Sequence, residues 1–100
     1  MNLRSVERAP FERATLGCRV GERHSGYGYA SEAVRLALVE AFGPLRLWRV
    51  EAVVTAEHAV SQGVLRRNGF RAYGRSTRSV RLHQTWPDLL HYERHRDGAL

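Results

Sequence analysis

Residues 13–55 constrain the fold more than any other part of the chain. RATLGCRV, residues 13–20, is short and rich in strand formers, and Glu12 and Gly21 bound it, so it reads as a β-strand. Residues 21–28 read as a loop. Ala30, Ala33, Val34, Ala37, Leu38, Ala41 and Phe42 then recur at the i, i+3, i+4, i+7 spacing, which predicts an amphipathic helix over about residues 29–42. Glu32, Arg35 and Glu40 fall on its other face. Gly43-Pro44 stops this helix, because Pro44 cannot continue it and biases Gly43 away from helical geometry. WRVEAVVT, residues 48–55, is β-branched and apolar and reads as a buried strand. Strand, glycine loop, helix and strand in this order make a βαβ unit, whose two strands lie parallel or nearly adjacent in one sheet.

The flanking segments extend that unit. A second helix is expected over residues 59–68, with Val60, Val64 and Leu65 on one side and Asn68-Gly69 ending it. Residues 71–82 and 88–95 read as two strands of a hairpin connected through residues 84–87. Upstream, residues 3–8 are expected to pair with residues 13–20 through the Ala9-Pro10-Phe11 turn. The order is β-β-α-β-α-β-β, an α/β (α+β) class domain with one mixed sheet. A chain of 100 residues holds one domain at most and buries a core with little margin.

Composition narrows the function classes. No apolar run approaches the roughly 20 residues that span a bilayer, and MNLRSVERAPFER lacks the apolar stretch of a signal peptide. Cys18 is the single cysteine, so no internal disulfide forms and a cytoplasmic setting is expected. The formal net charge is +6, and all sixteen strong cations are Arg. A GC-rich coding sequence accounts for that bias, and so does an anionic partner, since guanidinium forks bind phosphate bidentately. A basic module binding RNA or an acidic partner is the alternative reading, but neither an RNP-like aromatic motif nor a KH-type loop supports nucleic acid. His83, His91 and His95 are separated by even numbers of residues, so they could face one way on paired strands, but a metal site would want three or four such ligands with carboxylate or Cys support, and no metal is expected there.

SGYGYASEA, residues 25–33, carries the chemistry. The first N–H groups of a helix have no internal partner and form the positive end of its dipole. Glycines just ahead of them let the backbone curl around an anion. Gly26 and Gly28 sit where that geometry needs them, and Ala30 is small enough for close approach. The loop is not G-x-x-x-x-G-K-[ST], since there is no Lys, and not G-x-G-x-x-G, since Ser31 holds the third glycine position. A plain βα turn is the other reading of this loop.

With WRVEAVVTAEHAVSQGVLRRNGF downstream, the loop resembles the GNAT superfamily of acetyl-CoA-dependent N-acetyltransferases. In that family a loop of form [RQ]-x-x-G-x-[GA] binds the cofactor pyrophosphate. Here it would be Ser25, Gly26, Tyr27, Gly28, Tyr29 and Ala30, with Ser25 departing from Arg or Gln and Arg23 or His24 able to compensate. The second element, N-x-x-[AS]-x-x-x-[YL]-x-x-x-G-F, reads His58, Ser61, Leu65, Gly69 and Phe70, with His58 departing from Asn. FERATLGCRVGE, NGF and WPDLLHY are similar to the RimJ/RimL type, the ribosomal-protein N-terminal acetyltransferases. Family members carry a further N-terminal portion ahead of the segment that begins here. Residues 1–100 are therefore expected to be a partial GNAT domain, the cofactor-binding half plus a C-terminal hairpin.

The resemblance implies acetyl transfer from acetyl-CoA to a primary amine, on a protein N-terminus or a small molecule. It places Ser61 as the group serving the leaving sulfur, in place of the Tyr that many relatives carry where Leu65 stands. It places His58 close to the pantetheine arm as a donor replacing Asn. The base is expected on the strand at Glu51, although the matching position is Val53, with Glu22 as another option. A homodimer through an exposed sheet edge is a further expectation.

Overall fold

The computed structural model describes residues 2–17, 27–78, 80–82 and 84–96. Its elements are β1 (Asn2–Glu7), β2 (Arg13–Gly17), α1 (Tyr27–Phe42), β3 (Arg49–Thr55), α2 (Ala59–Arg67), β4 (Arg71–Ser76) and β5 (Leu89–His95), in the expected order. They build one five-stranded mixed sheet of order β1-β2-β3-β5-β4. β2 and β3 are the parallel pair joined across α1, and the other neighbours are antiparallel. Arg23, His24, Ser25 and Gly26, together with Cys18, Glu22 and His83, lie outside the described residues.

Three boundaries differ from expectation for physical reasons. α1 begins at Tyr27, so Gly28 is inside its first turn and not in the loop; that turn's N–H groups need no intrahelical partner, and its first residues need not be strong helix formers. β4 ends at Ser76 instead of continuing to residue 82. Asp88 stops the ladder there, accepting bonds from Arg75 Nε, Arg75 Nη2 and the Arg78 backbone N–H at 3.1, 2.8 and 3.1 Å. The hairpin connection therefore spans residues 77–88, with Leu82 and Thr85 closing a small turn of their own. Val60, expected on the apolar side of α2, is 48% exposed. The buried line of this short helix runs through Ser61, Val64 and Leu65 instead.

Both helices cover one face of the sheet. The period-3.6 stripe of α1 delivers Ala30, Val34, Leu38 and Ala41, and α2 delivers Val64 and Leu65, onto Ala14, Leu16, Val50, Ala52 and Tyr92. Tyr92 is fully buried, and its hydroxyl finds no hydrogen-bond partner among the described residues. An orphaned buried hydroxyl costs about 1 kcal/mol or more. Tyr92→Phe is thus expected to stabilise the fold by about 1 kcal/mol in urea titration, and a loss of stability would show that the hydroxyl is satisfied.

The NGF turn has a steric reason for its glycine. Gly69 sits at φ +85°, and a Cβ there would come within 2.8 Å of Arg94 Nε. Arg94 is tied to the Asn68 and His95 carbonyl oxygens at 3.1 and 2.8 Å and stacks over Phe42. Gly69→Ala should cost about 1–2 kcal/mol from the left-handed backbone alone, measurable as a lower denaturation midpoint.

Candidate active site

The chain's topology gathers three features at one end of the sheet. β2 and β3 run parallel, so α1 must return against them, and its N-terminus lies beside their C-terminal ends. α2 starts three residues after β3, so its N-terminus lies at that end too. The β2–β3 ladder pairs Arg13 with Arg49, Ala14 with Val50 and Thr15 with Glu51, and then stops. Beyond it β2 stays on β1 as far as Gly17, while β3 stays on β5 as far as Thr55. Among the described residues the two strands thus fork, and β2 does not pair with the edge of β3 beyond Glu51. Crevices outside the carboxyl ends of strands are where open α/β sheets take ligands.

The first turn of α1, Tyr27 to Ala30, faces this end of the sheet and contains no acidic residue. Ala30 itself is buried in the core. Its small side chain serves packing. Asn68 holds this end of α1 against α2. Its side-chain amide donates to the Ser31 carbonyl oxygen, the Ser31 hydroxyl and the Val64 carbonyl oxygen, each at 3.1 Å. Sequence reasoning assigned Asn68 only the end of α2, because a contact across 37 residues leaves no local signal.

The start of α2 is fixed to the end of β3 by its own side chains. Gln62 Nε2 donates to the Ala56 and Thr55 carbonyl oxygens at 2.8 and 3.4 Å, and the His58 N–H donates to the Thr55 carbonyl oxygen at 3.1 Å. The structure brings the side chains of His58 and Ser61 together. The Ser61 hydroxyl lies 2.5 Å from His58 Nδ1, and Ser61 is only 4% exposed. Gln62 went unremarked in the sequence, where a Gln on a helix is ordinarily a solvent-facing residue.

Glu51 is placed elsewhere. Strand alternation puts it on the sheet face opposite Val50 and Ala52, the face that neither helix covers. There it bonds Arg49 Nε at 2.9 Å, lies 3.5 Å from Arg13 Nη1 and accepts from the Tyr73 hydroxyl at 3.4 Å. Burial opposes the charge on Arg49, yet Glu51 and Glu93 outweigh it and hold its proton above the ordinary arginine range. Among the described residues no group of three or more His, Cys, Asp or Glu is arranged to hold a metal. No described helix is long and apolar enough to cross a membrane.

Residues 1–71 match the acetyltransferase (GNAT) domain family. The chain belongs to that family. It is 33% identical over 88 residues to the probable N-acetyltransferase YjcK of Bacillus subtilis, a match covering 88% of this chain and 49% of the relative. The fold is that of the ribosomal-protein-S5-alanine acetyltransferase from Vibrio fischeri, with a TM-score of 0.87 at 22% identity over 96% of this chain and 52% of that one. Mycobacterium smegmatis RimJ, solved in complex with CoA-disulfide, superposes with a TM-score of 0.84 at 28% identity over 94% of this chain and 45% of its own. The chain spans about half the length of the relatives it matches.

Proposed function

We propose that this chain binds acetyl-CoA in the fork between β2 and β3 and serves transfer of its acetyl group to a primary amine. The observation that carries the reading is the convergence, at the end of the parallel pair, of the opened ladder and both helix N-termini. The donor set fits the ligand's chemistry. The first turn of α1, which carries no acidic residue, suits a pyrophosphate, and the edge of β3 beyond the β2 ladder suits an extended amide-bearing arm. Acetyl-CoA supplies an activated acyl group on a thiol that leaves. Ser61 is the residue of this chain that serves the sulfur, by hydrogen bonding to it and not by giving up a proton outright, because a free hydroxyl is far too weak an acid. Backbone N–H groups along the β3 edge are the donors for the oxyanion.

Glu51 reads better as part of the Arg13–Arg49–Glu93 ion-pair cluster than as the base. Its oxygens are already engaged, and it sits across the sheet from α2. The RimJ and S5-alanine acetyltransferase likenesses support a protein N-terminus as the acceptor, within the same site. Calorimetry with acetyl-CoA tests the cofactor reading, and no heat at millimolar acetyl-CoA would end it. Release of CoA thiol in the presence of an N-terminal peptide tests transfer; release with spermidine-like amines alone would redirect the acceptor.

A further inference from the structure

Between α1 and the C-terminal end of α2 the surface opens into a cleft of about 550 Å³. Small-molecule sites run from roughly 300 to 1,000 Å³. Leu38, Val39 and Phe42 form an apolar wall on α1, and Arg35, Arg67 and Arg94 bring guanidinium groups to the same cleft. No described carboxylate lines it. The cleft lies away from the first turn of α1. Its α1 residues come after Gly28 by about 10–20 Å along the helix axis, at 1.5 Å per residue.

Arg94 sets this cleft apart. Arg8, Arg13, Arg35, Arg49, Arg71 and Arg75 each meet a carboxylate. Arg94 is partly buried and meets none among the described residues. Its Nε donates to the Asn68 carbonyl oxygen at 3.1 Å, and its Nη1 donates to the His95 carbonyl oxygen at 2.8 Å. Its guanidinium carbon stands 5.9 Å from the centre of the Phe42 ring. A guanidinium has five N–H donors. The two carbonyl oxygens take one each from Nε and Nη1, and Nη2 makes no hydrogen bond among the described residues. Closing a carbonyl at the end of α2 accounts for the Nε bond. It leaves Nη2 unused and the charge without a counterion. Arg35, in contrast, is already held by Glu32 and adds no net charge.

We infer that this cleft is a second binding site, separate from the fork between β2 and β3, for a small organic oxyanion (a carboxylate or a phosphate ester) carried on an apolar body. Arg94 takes the oxyanion, because a fixed guanidinium suits the planar, charge-assisted bonds that carboxylate and phosphate accept. Phe42, Leu38 and Val39 take the body. The inference goes beyond the acetyl-CoA reading and stands independently of it.

Benzoate and phenyl phosphate are the probes, and benzamide is the neutral control. Titrated into the nitrogen-15-labelled chain, the anions are expected to shift the amide signals of Val39, Phe42, Gly69 and Arg94 with a Kd of about 1 mM, the strength of a ligand of about ten heavy atoms. Benzamide is expected to bind about tenfold or more weakly, since it offers no charge to Arg94. A response to one anion alone supports the inference and fixes the oxyanion class. Val39→Glu is the deciding variant. Val39 is 55% exposed and glutamate is a good helix former, so the fold is kept. The new carboxylate stands on the cleft wall and should weaken the anions about tenfold or more without lowering the unfolding midpoint. Arg94→Gln should weaken them as much, with some loss of stability from the carbonyl oxygens it releases. Saturating acetyl-CoA should leave the probe shifts in place. Absence of shifts at tens of millimolar probe, equal binding of benzamide, or unchanged affinity in Val39→Glu would each overturn the inference. Displacement of the probes by acetyl-CoA would overturn it too, by making the cleft part of the cofactor site.

Discussion

Gly28→Glu is expected to abolish acetyl-CoA binding that calorimetry detects for the parent chain, while leaving the circular dichroism spectrum nearly unchanged and raising the unfolding midpoint. Gly28 is the second residue of α1, and no acidic side chain stands in that first turn. An anion bound there is held by unpartnered N–H groups and the positive end of the dipole. A glutamate at this position brings its own carboxylate to the same groups and repels a second anion. It also replaces a glycine, the poorest helix former after proline, with a good one, and the dipole interaction adds a few tenths of a kcal/mol. Stability and binding should therefore move in opposite directions, which separates occupation of an anion site from general damage. Unchanged affinity in a folded Gly28→Glu chain would show that the first turn of α1 is not where the phosphates lie.

How far the sequence revealed this site depends on the range over which each feature is encoded. The stripe of α1 is a repeat of one side chain every three or four residues, so its core face was readable residue by residue. The parallel pairing of β2 and β3 followed from a helix between two strands. His58 and Ser61 were both named from the family pattern, but the sequence reading did not foresee their direct contact. What was not readable is non-local. That Asn68 donates to Ser31 and that the ladder opens after Thr15 and Glu51 both depend on elements brought together from far apart. The early end of β4 is of the same kind, because residues 77–82 carry strand formers and only the clamp on Asp88 shows that the chain turns away. Val60 is exposed, against expectation, because a nine-residue helix has room for one narrow buried line, and that line runs through Ser61, Val64 and Leu65.

Glu93→Gln is expected to destabilise the fold by about 2 kcal/mol, lowering the melting temperature by about 10 °C. Glu93 is 5% exposed on the sheet face that neither helix covers. One of its oxygens accepts from Arg49 Nη1 at 2.8 Å and the other from Arg71 Nε at 2.9 Å, so a single carboxylate joins residues of β3, β4 and β5. Removing one partner of a fully buried pair costs about 3–5 kcal/mol, because the remaining charge is left without compensation. Here Arg49 is a quarter exposed and keeps Glu51, while Arg71 is mostly in water, so the cost falls toward 2 kcal/mol. The contrast is Arg71→Gln, which breaks the solvent-exposed side of the same cluster and should cost about 0.5 kcal/mol or less. Equal losses for the two variants would mean that the cluster acts as an ordinary surface salt bridge. A large loss for Glu93 alone would mean that this carboxylate anchors the exposed face of the sheet, and that the arginines gathered there, Arg13 and Arg49 above all, are held by carboxylates of this chain and not reserved for an anionic partner. That outcome would count against the strong positive charge of the sequence as a sign of nucleic-acid binding on this face.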